Sequence, residues 1–157
     1  ADDLRAAGVD ESTIDRAADF FEEISVLEDS RALRESATAL HDPTEGGVCT
    51  GLVELAAAAD VDVVVDRESV PIRPETETVC AAMGVDPLRI FGSGALLATV
   101  PPAEVEPAHS RLAEAGIDAA TIGTVEPVAE NADSGALVLN GERLTDGGTD
   151  ELYPFWE

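Results

Sequence analysis

The chain alternates between helical and strand-like spacing of its apolar residues. Residues 1–9 carry Leu4 and Val9 among small and charged side chains, which predicts a short helix closed by Gly8. Asp10 or Ser12 is suited to cap the next helix. Ile14, Ala17, Ala18, Phe21 and Ile24 then recur at helical spacing and predict one buried face. A further helix is expected from Glu28 to Ser36. Residues 37–41 read as a short buried strand, broken by Asp42-Pro43-Thr44-Glu45-Gly46-Gly47. Val48, Leu52, Leu55 and Ala59 follow at helical spacing, and the β-branched run Val61 to Val65 predicts a strand.

The second half continues in the same manner. Pro74 suits the first position of a helix and Gly84 its end, with Val79, Cys80 and Met83 toward the core. Gly92-Ser93-Gly94 predicts a flexible loop before a strand from Ala95 to Val100, which Pro101-Pro102 stops. Val105, Ala108 and Leu112 mark an amphipathic helix ending at Gly116, and Ala120 to Val125 is expected to be a strand. Ala136 to Leu139 and Glu142 to Leu144 predict a hairpin, because Asn140-Gly141 suits the left-handed turn it needs. Interleaved strands and helices with hairpin-like connections favour an α+β sandwich with a mixed, mainly antiparallel sheet over a parallel doubly wound fold. The expected organisation is a helical arm or linker over 1–36, a domain over 37–144, and a tail over 145–157. The tail holds Tyr153, Phe155 and Trp156, and an aromatic cluster of this kind is expected to be docked.

Charge then narrows the function. The chain has 157 residues, 33 Asp plus Glu, nine Arg, no Lys and a formal charge of -24. A surface of that sign repels phosphate backbones and anionic membranes, so nucleic-acid and membrane partners are not expected. Hydrophobic residues make up 45% of the chain, which argues against disorder and for a solvated coat on a folded domain. Self-repulsion of this coat is relieved by screening. Together with the absence of Lys, this predicts a protein of the high-salt cytoplasm of a halophile, an archaeon by expectation. An ordinary acidic protein is the alternative. Cys49 and Cys80 lie in predicted helices without a CxxC spacing and read as buried small hydrophobes, so no metal site is expected.

Two segments carry candidate chemistry. In His41 to Gly47, the paired glycines admit close backbone approach, and the start of the following helix is expected to offer unpaired amides to an anion. His41 is a candidate acid or base, and Asp42 is placed to orient it, accept a proton or cap the helix. Thr44 adds a hydroxyl, while Glu45 with Asp42 opposes a bare phosphate. Good turn chemistry alone would also explain the segment. The second segment, Gly92-Ser93-Gly94, is a candidate ligand-pocket wall, although such loops are common turns. His109 is expected at the surface of its helix.

These motifs resemble the C-terminal half of the AIR synthase superfamily, nearest to HypE-type hydrogenase maturation factors and archaeal AIR synthase-related proteins. The resemblance rests on His41-Asp42-Pro43-Thr44-Glu45-Gly46-Gly47, the helix after it and Val61 to Asp66. It continues in order through Ile72-Arg73-Pro74, Gly84-Val85-Asp86-Pro87-Leu88, Gly92 to Leu97 and Val100-Pro101-Pro102, with Ile24-Ser25-Val26 upstream, and so spans roughly 14–144.

The resemblance implies a layered α/β/α domain that closes over a cleft, with ATP and magnesium held mostly by a separate N-terminal half that dimerises. The shared chemistry is activation of an amide-like oxygen by phosphoryl transfer, followed by displacement. It makes His41 and Asp42 the candidate catalytic residues. Thr44, Glu45, Gly46, Gly47, Gly92, Ser93 and Gly94 become candidate contacts to the nucleotide or the activated small-molecule substrate. No acidic, glycine-rich half precedes the match and the chain does not begin with Met, so it is expected to be the C-terminal domain of a longer protein, inactive and without cofactor alone. The HypE-type factors end in a carbamoyl-accepting cysteine, and residues 150–157 contain none. A non-catalytic ligand- or partner-binding module on the same fold, or a HypE-like factor lacking the tail cysteine, are the alternatives.

Overall fold

A computed structural model describes residues 1–155, so the expectation for Trp156 lies outside the described residues. Six helices and six strands form two sheets. The helices are α1 (Asp2–Ala6), α2 (Glu11–Asp19), α3 (Leu27–Leu33), α4 (Gly47–Ala59), α5 (Pro74–Met83) and α6 (Val105–Glu114). The strands are β1 (Ala39–His41), β2 (Val61–Val65), β3 (Leu97–Thr99), β4 (Gly123–Pro127), β5 (Ala136–Leu139) and β6 (Glu142–Leu144). The strands do not make the single sheet that the sequence suggested. β1 pairs only with β3, antiparallel, while the larger sheet has the order β4-β2-β5-β6. Only β2 and β5 run parallel, so pairing is mixed and mainly antiparallel as expected.

Helix α4 joins the two sheets. It packs against β1 and β3 on one hand and β2 and β5 on the other. Its sequence, GVCTGLVELAAAA, is apolar nearly all round, which suits a helix covered on more than one side. Cys49, Leu52, Val53 and Ala56 meet Val63, Val65, Leu88, Leu97 and Leu137 in the main core. A smaller cluster of Leu33, Ala108 and Leu112 binds α3 to α6. The α5 limits fall at Pro74 in the first turn and Gly84 in the left-handed conformation, as the sequence implied.

Three expectations are corrected. Ala18, Phe21 and Ile24 do not join the buried face of α2. The helix ends at Asp19 and a 3-10 turn, Phe20–Glu23, breaks the 100° periodicity, leaving Phe21 76% and Ile24 45% exposed. The predicted strand Ala120 to Val125 lies three residues later, at Gly123–Pro127. Five-residue β2 sets its register, with Val65 opposite Gly123 and Val61 opposite Pro127. The strands expected over 37–41 and 95–100 shorten to three residues each, because each has only the other as partner.

Asp62 and Asp150 are the buried carboxylates among the described residues. Asp62, 5% exposed on β2, accepts the Ala129 and Ala136 amides at 3.1 and 3.2 Å and the Arg143 guanidinium at 2.7 Å. The 1–36 helices are tied to the rest: α2 packs on α5, where Arg16 meets Glu75 at 2.7 Å, and α3 packs on α6. No helix among the described residues is long and apolar enough to cross a membrane.

Candidate functional site

The two candidate loops are stitched together. The Gly92 amide donates to the Thr44 carbonyl at 3.0 Å, and a Cβ on Gly92 would stand 2.3 Å from the Pro43 carbonyl oxygen. No larger residue fits there without moving the loop. Pro43 is fully buried beneath this contact, while Asp42, Thr44, Glu45 and Ser93 remain exposed. Gly94, at φ 94°, lies against the backbone of Glu23 and Ile24, so the 3-10 turn after α2 borders the same loops.

His41 ends β1 and its ring lies along α4. Its Nε2 is 2.7 Å from Oε2 of Glu54, and its Cδ2 lies against Gly51, where a Cβ would approach to 3.1 Å. Both contacts use the Nε2–Cδ2 edge, so Nδ1 turns away from the helix. With a carboxylate facing it, Nε2 is the donor, so the neutral form of this imidazole has its proton on Nε2 and its lone pair on Nδ1. The orienting carboxylate is therefore Glu54 and not the adjacent Asp42. Asp42 makes no hydrogen bond among the described residues. Sequence reasoning missed Glu54, although position 54 lies one turn beyond Thr50 and Gly51 on the α4 face that meets β1.

Three of the helix-start amides are engaged, contrary to expectation, while that of Val48 has no acceptor among the described residues. Gly46, at φ 72°, is the N-cap and its amide donates at 2.9 Å to Oδ2 of Asp150. The Gly47 amide donates to the Thr44 carbonyl at 3.2 Å, and the Cys49 amide to the Leu88 carbonyl at 2.9 Å. Gly47 is fixed as glycine by its φ of 63° and by the Ile90 carbonyl oxygen, 2.2 Å from where a Cβ would sit. Asp42 does not cap the helix. A residue more than a hundred positions away does.

No cation in this chain is spare for a phosphate. Each of the nine arginines faces a carboxylate: Arg67 and Asp86 form a two-pronged pair at 2.5 and 3.0 Å, Arg73 meets Glu23 at 2.5 Å, and Arg89 sits 3.9 Å from Asp86. Burial pushes the Asp86 carboxyl up, but the Arg67 pair, the Leu88 amide and the nearby arginine charges outweigh it and hold the group below its ordinary value. No cluster of three or more metal-ligating side chains occurs among the described residues. Two shallow grooves of about 440 and 390 Å³ lie elsewhere, between α3 and α6 and around the end of α6. His109 hydrogen-bonds Thr121 at 3.0 Å. The residues present therefore do not fit the task of holding ATP and magnesium by themselves.

Residues 4–133 match the family described as AIR synthase related protein, C-terminal domain. Over 120 residues the chain is 32% identical to carbamoyl dehydratase HypE of Rhodobacter capsulatus, covering 74% of this chain and 35% of that protein. Over 88 residues it is 36% identical to carbamoyl dehydratase HypE of Rhizobium leguminosarum bv. viciae, covering 55% of this chain and 25% of that protein. A crystal structure of hydrogenase maturation protein HypE in complex with ATP superposes with a TM-score of 0.64 at 31% identity, covering 73% of this chain and 38% of that one. The chain thus spans about a third of the length of the HypE relatives it matches.

Proposed function

Because this chain belongs to the AIR synthase related C-terminal domain family, we propose that it is the cleft-closing half of an ATP-dependent enzyme that activates an amide-like oxygen by phosphoryl transfer. The observation that carries this reading is the division of labour at the loop. The amides of Gly46, Gly47, Cys49 and Gly92 and the arginines are engaged internally, whereas His41, Asp42, Thr44 and Ser93 stand on two loops bonded to each other. Such a surface supplies proton transfer and polar contacts to a small-molecule substrate. It leaves the nucleotide phosphates and their metal to an N-terminal AIR synthase-like half. In this reading His41 takes or returns a proton through Nδ1 while Glu54 holds its ring.

The apolar residues Phe21, Ile24 and Leu27, exposed by 76, 45 and 61%, support the presence of such a half. They fall within seven positions beside Gly94, where a covering segment would also border the candidate loops. The same half is the proposed seat of a homodimer. The charge of -24 is read as adaptation to a high-salt cytoplasm, and stability is expected to rise with KCl.

Calorimetry with ATP and magnesium tests the reading. The whole protein is expected to bind and turn over, and residues 1–157 alone are not. Turnover by residues 1–157 alone overturns it. Absence of binding to the whole protein at millimolar ATP favours a non-catalytic module on the same fold.

A further inference from the structure

We infer that the segment 147–153 is a working part of the candidate site, with Asp150 the positioning residue of the His41–Gly47 loop; this rests on the function proposed above. The family match ends at residue 133, so nothing in it assigns a role to this segment. The structure nevertheless packs it onto the His41–Gly47 loop and onto residues 86–91, which lead into the second loop. Asp150 is 3% exposed, and its two carboxylate oxygens accept the Gly46 amide and the Leu152 amide, each at 2.9 Å.

The neighbours of Asp150 hold the segment in place. The Glu151 amide donates to the Arg89 carbonyl at 3.0 Å, and the Glu151 carboxylate accepts the Asp86 amide at 2.6 Å. Arg89 donates to the Gly147 carbonyl at 2.7 Å. Tyr153 packs edge-on to Phe91, with ring centroids 6.0 Å apart, and the nearby Glu45 carboxylate of the loop pushes its phenol above the ordinary value. Thr50 sits between the two partners: a Cβ on Gly46 or on Gly147 would stand 2.2 Å from its hydroxyl oxygen. Loop and tail therefore meet at van der Waals limit across one side chain.

A carboxylate at the start of thirteen-residue α4 also occupies the position where the helix field favours an anion. The Gly46 amide, one of the donors a ligand anion would use there, is taken from within the chain. The loop then presents to a ligand its outer face, carrying His41, Asp42 and Thr44, and Asp150 fixes the left-handed turn at Gly46 that sets this face. Asp150 acts through the backbone and touches no ligand.

The test compares Asp150→Ala with Asp150→Asn in the whole protein, reading amide hydrogen exchange of residues 44–47 without ligand and then ATP affinity with magnesium. Asp150→Ala is expected to speed exchange in the loop by about tenfold or more while β2 and α5 exchange as before, and to lower ATP turnover, measured alongside affinity, by a similar factor. Asp150→Asn keeps an oxygen for the Gly46 amide and is expected to restore both within about threefold. Unchanged loop exchange in Asp150→Ala overturns the inference, and so does tighter ATP binding, which would make Asp150 a competitor of the ligand. If Asp150→Ala does not fold, Asp150→Ser, too short to reach Gly46, takes its place under the same criteria. If the wild-type protein binds no ATP, the proposed function fails while the exchange measurement still decides the role of Asp150.

Discussion

Glu54 on α4 holds the Nε2 edge of His41 at 2.7 Å, so the candidate acid–base imidazole of the loop is oriented by the helix that the loop opens. The pair is partly exposed, with side-chain exposures of 32% for His41 and 59% for Glu54. Its contribution to stability is correspondingly small, and its value lies in fixing a tautomer.

Removing either partner separates these roles. In the whole protein, His41→Ala is expected to lower turnover by about 10²–10⁴-fold, the range for loss of a general acid or base. Glu54→Ala is expected to cost less, about tenfold, and to leave the melting temperature nearly unchanged. Nitrogen NMR of the imidazole should show a proton mainly on Nε2 in the native protein and a mixture of tautomers in Glu54→Ala. Full activity of His41→Ala would end the assignment of this loop as the site.

The junction of the two loops makes a steric prediction. Gly92→Ala places a methyl group 2.3 Å from the buried Pro43 carbonyl, and it is expected to cost about 2–3 kcal/mol, or a fall of roughly 4–12 °C in melting temperature. Gly84→Ala is the control, since its Cβ meets nothing within 4 Å and only its φ of 71° resists substitution. That change is expected to cost about 1 kcal/mol. Equal losses in the two variants, by thermal unfolding in the same salt, would show that the loops are not closely apposed.

The two cysteines give a chemical readout of the core. Cys49 and Cys80 are 1% and 2% exposed free thiols. Burial pushes the Cys80 thiol up to about 11, with the charges of Asp86 and Glu151 acting in the same direction. Burial likewise raises Cys49. At pH 8 both are thiols and neither meets reagent without opening of the structure. Alkylation of the folded protein by iodoacetamide is expected to run at least ~10³-fold slower than in denaturant, following the opening equilibrium. Rapid labelling of either cysteine in the native state would contradict this packing.

Much of this was legible in the chain because it is local. The limits of β2, the Asn140-Gly141 hairpin and the Pro74-to-Gly84 span of α5 follow from residues that dictate their own backbone, and the structure reproduces them. The meeting of Thr44 with Gly92 was visible only as two glycine-containing loops, since nothing local joins positions 48 residues apart. Asp150 and Glu54 were not legible as site residues. One is a tail aspartate in a chain with 33 acidic residues, the other an ordinary helix glutamate, and only the fold shows which of the acids face the loop. Phe21 and Ile24 misled for the converse reason: their helical spacing is real, but the helix ends two residues earlier.

The same excess of acids makes Asp62 a useful probe, because it is an acid that the fold needs charged. The Arg143 guanidinium, helped by the Ala129 and Ala136 amides, holds its carboxyl below the ordinary value of 3.8 against the opposing effect of burial. A carboxyl depressed in the folded state contributes stability that is fully present above its unfolded value and is lost as pH falls through the folded one. Lowering the pH also reduces the net negative charge of a chain that starts at -24 and so relieves its self-repulsion. The melting curve of the native protein alone therefore mixes two trends. The difference between the native protein and Asp62→Asn isolates one of them. At pH 7 the variant leaves Arg143 without its charged partner and is expected to melt several degrees lower. The gap should begin to close below about pH 4 and disappear once the native carboxyl is itself protonated. A gap that stays constant from pH 7 into the acid range would mean that Asp62 serves only as a neutral hydrogen-bond acceptor, and that the pairing of β2 with β5 does not depend on its charge.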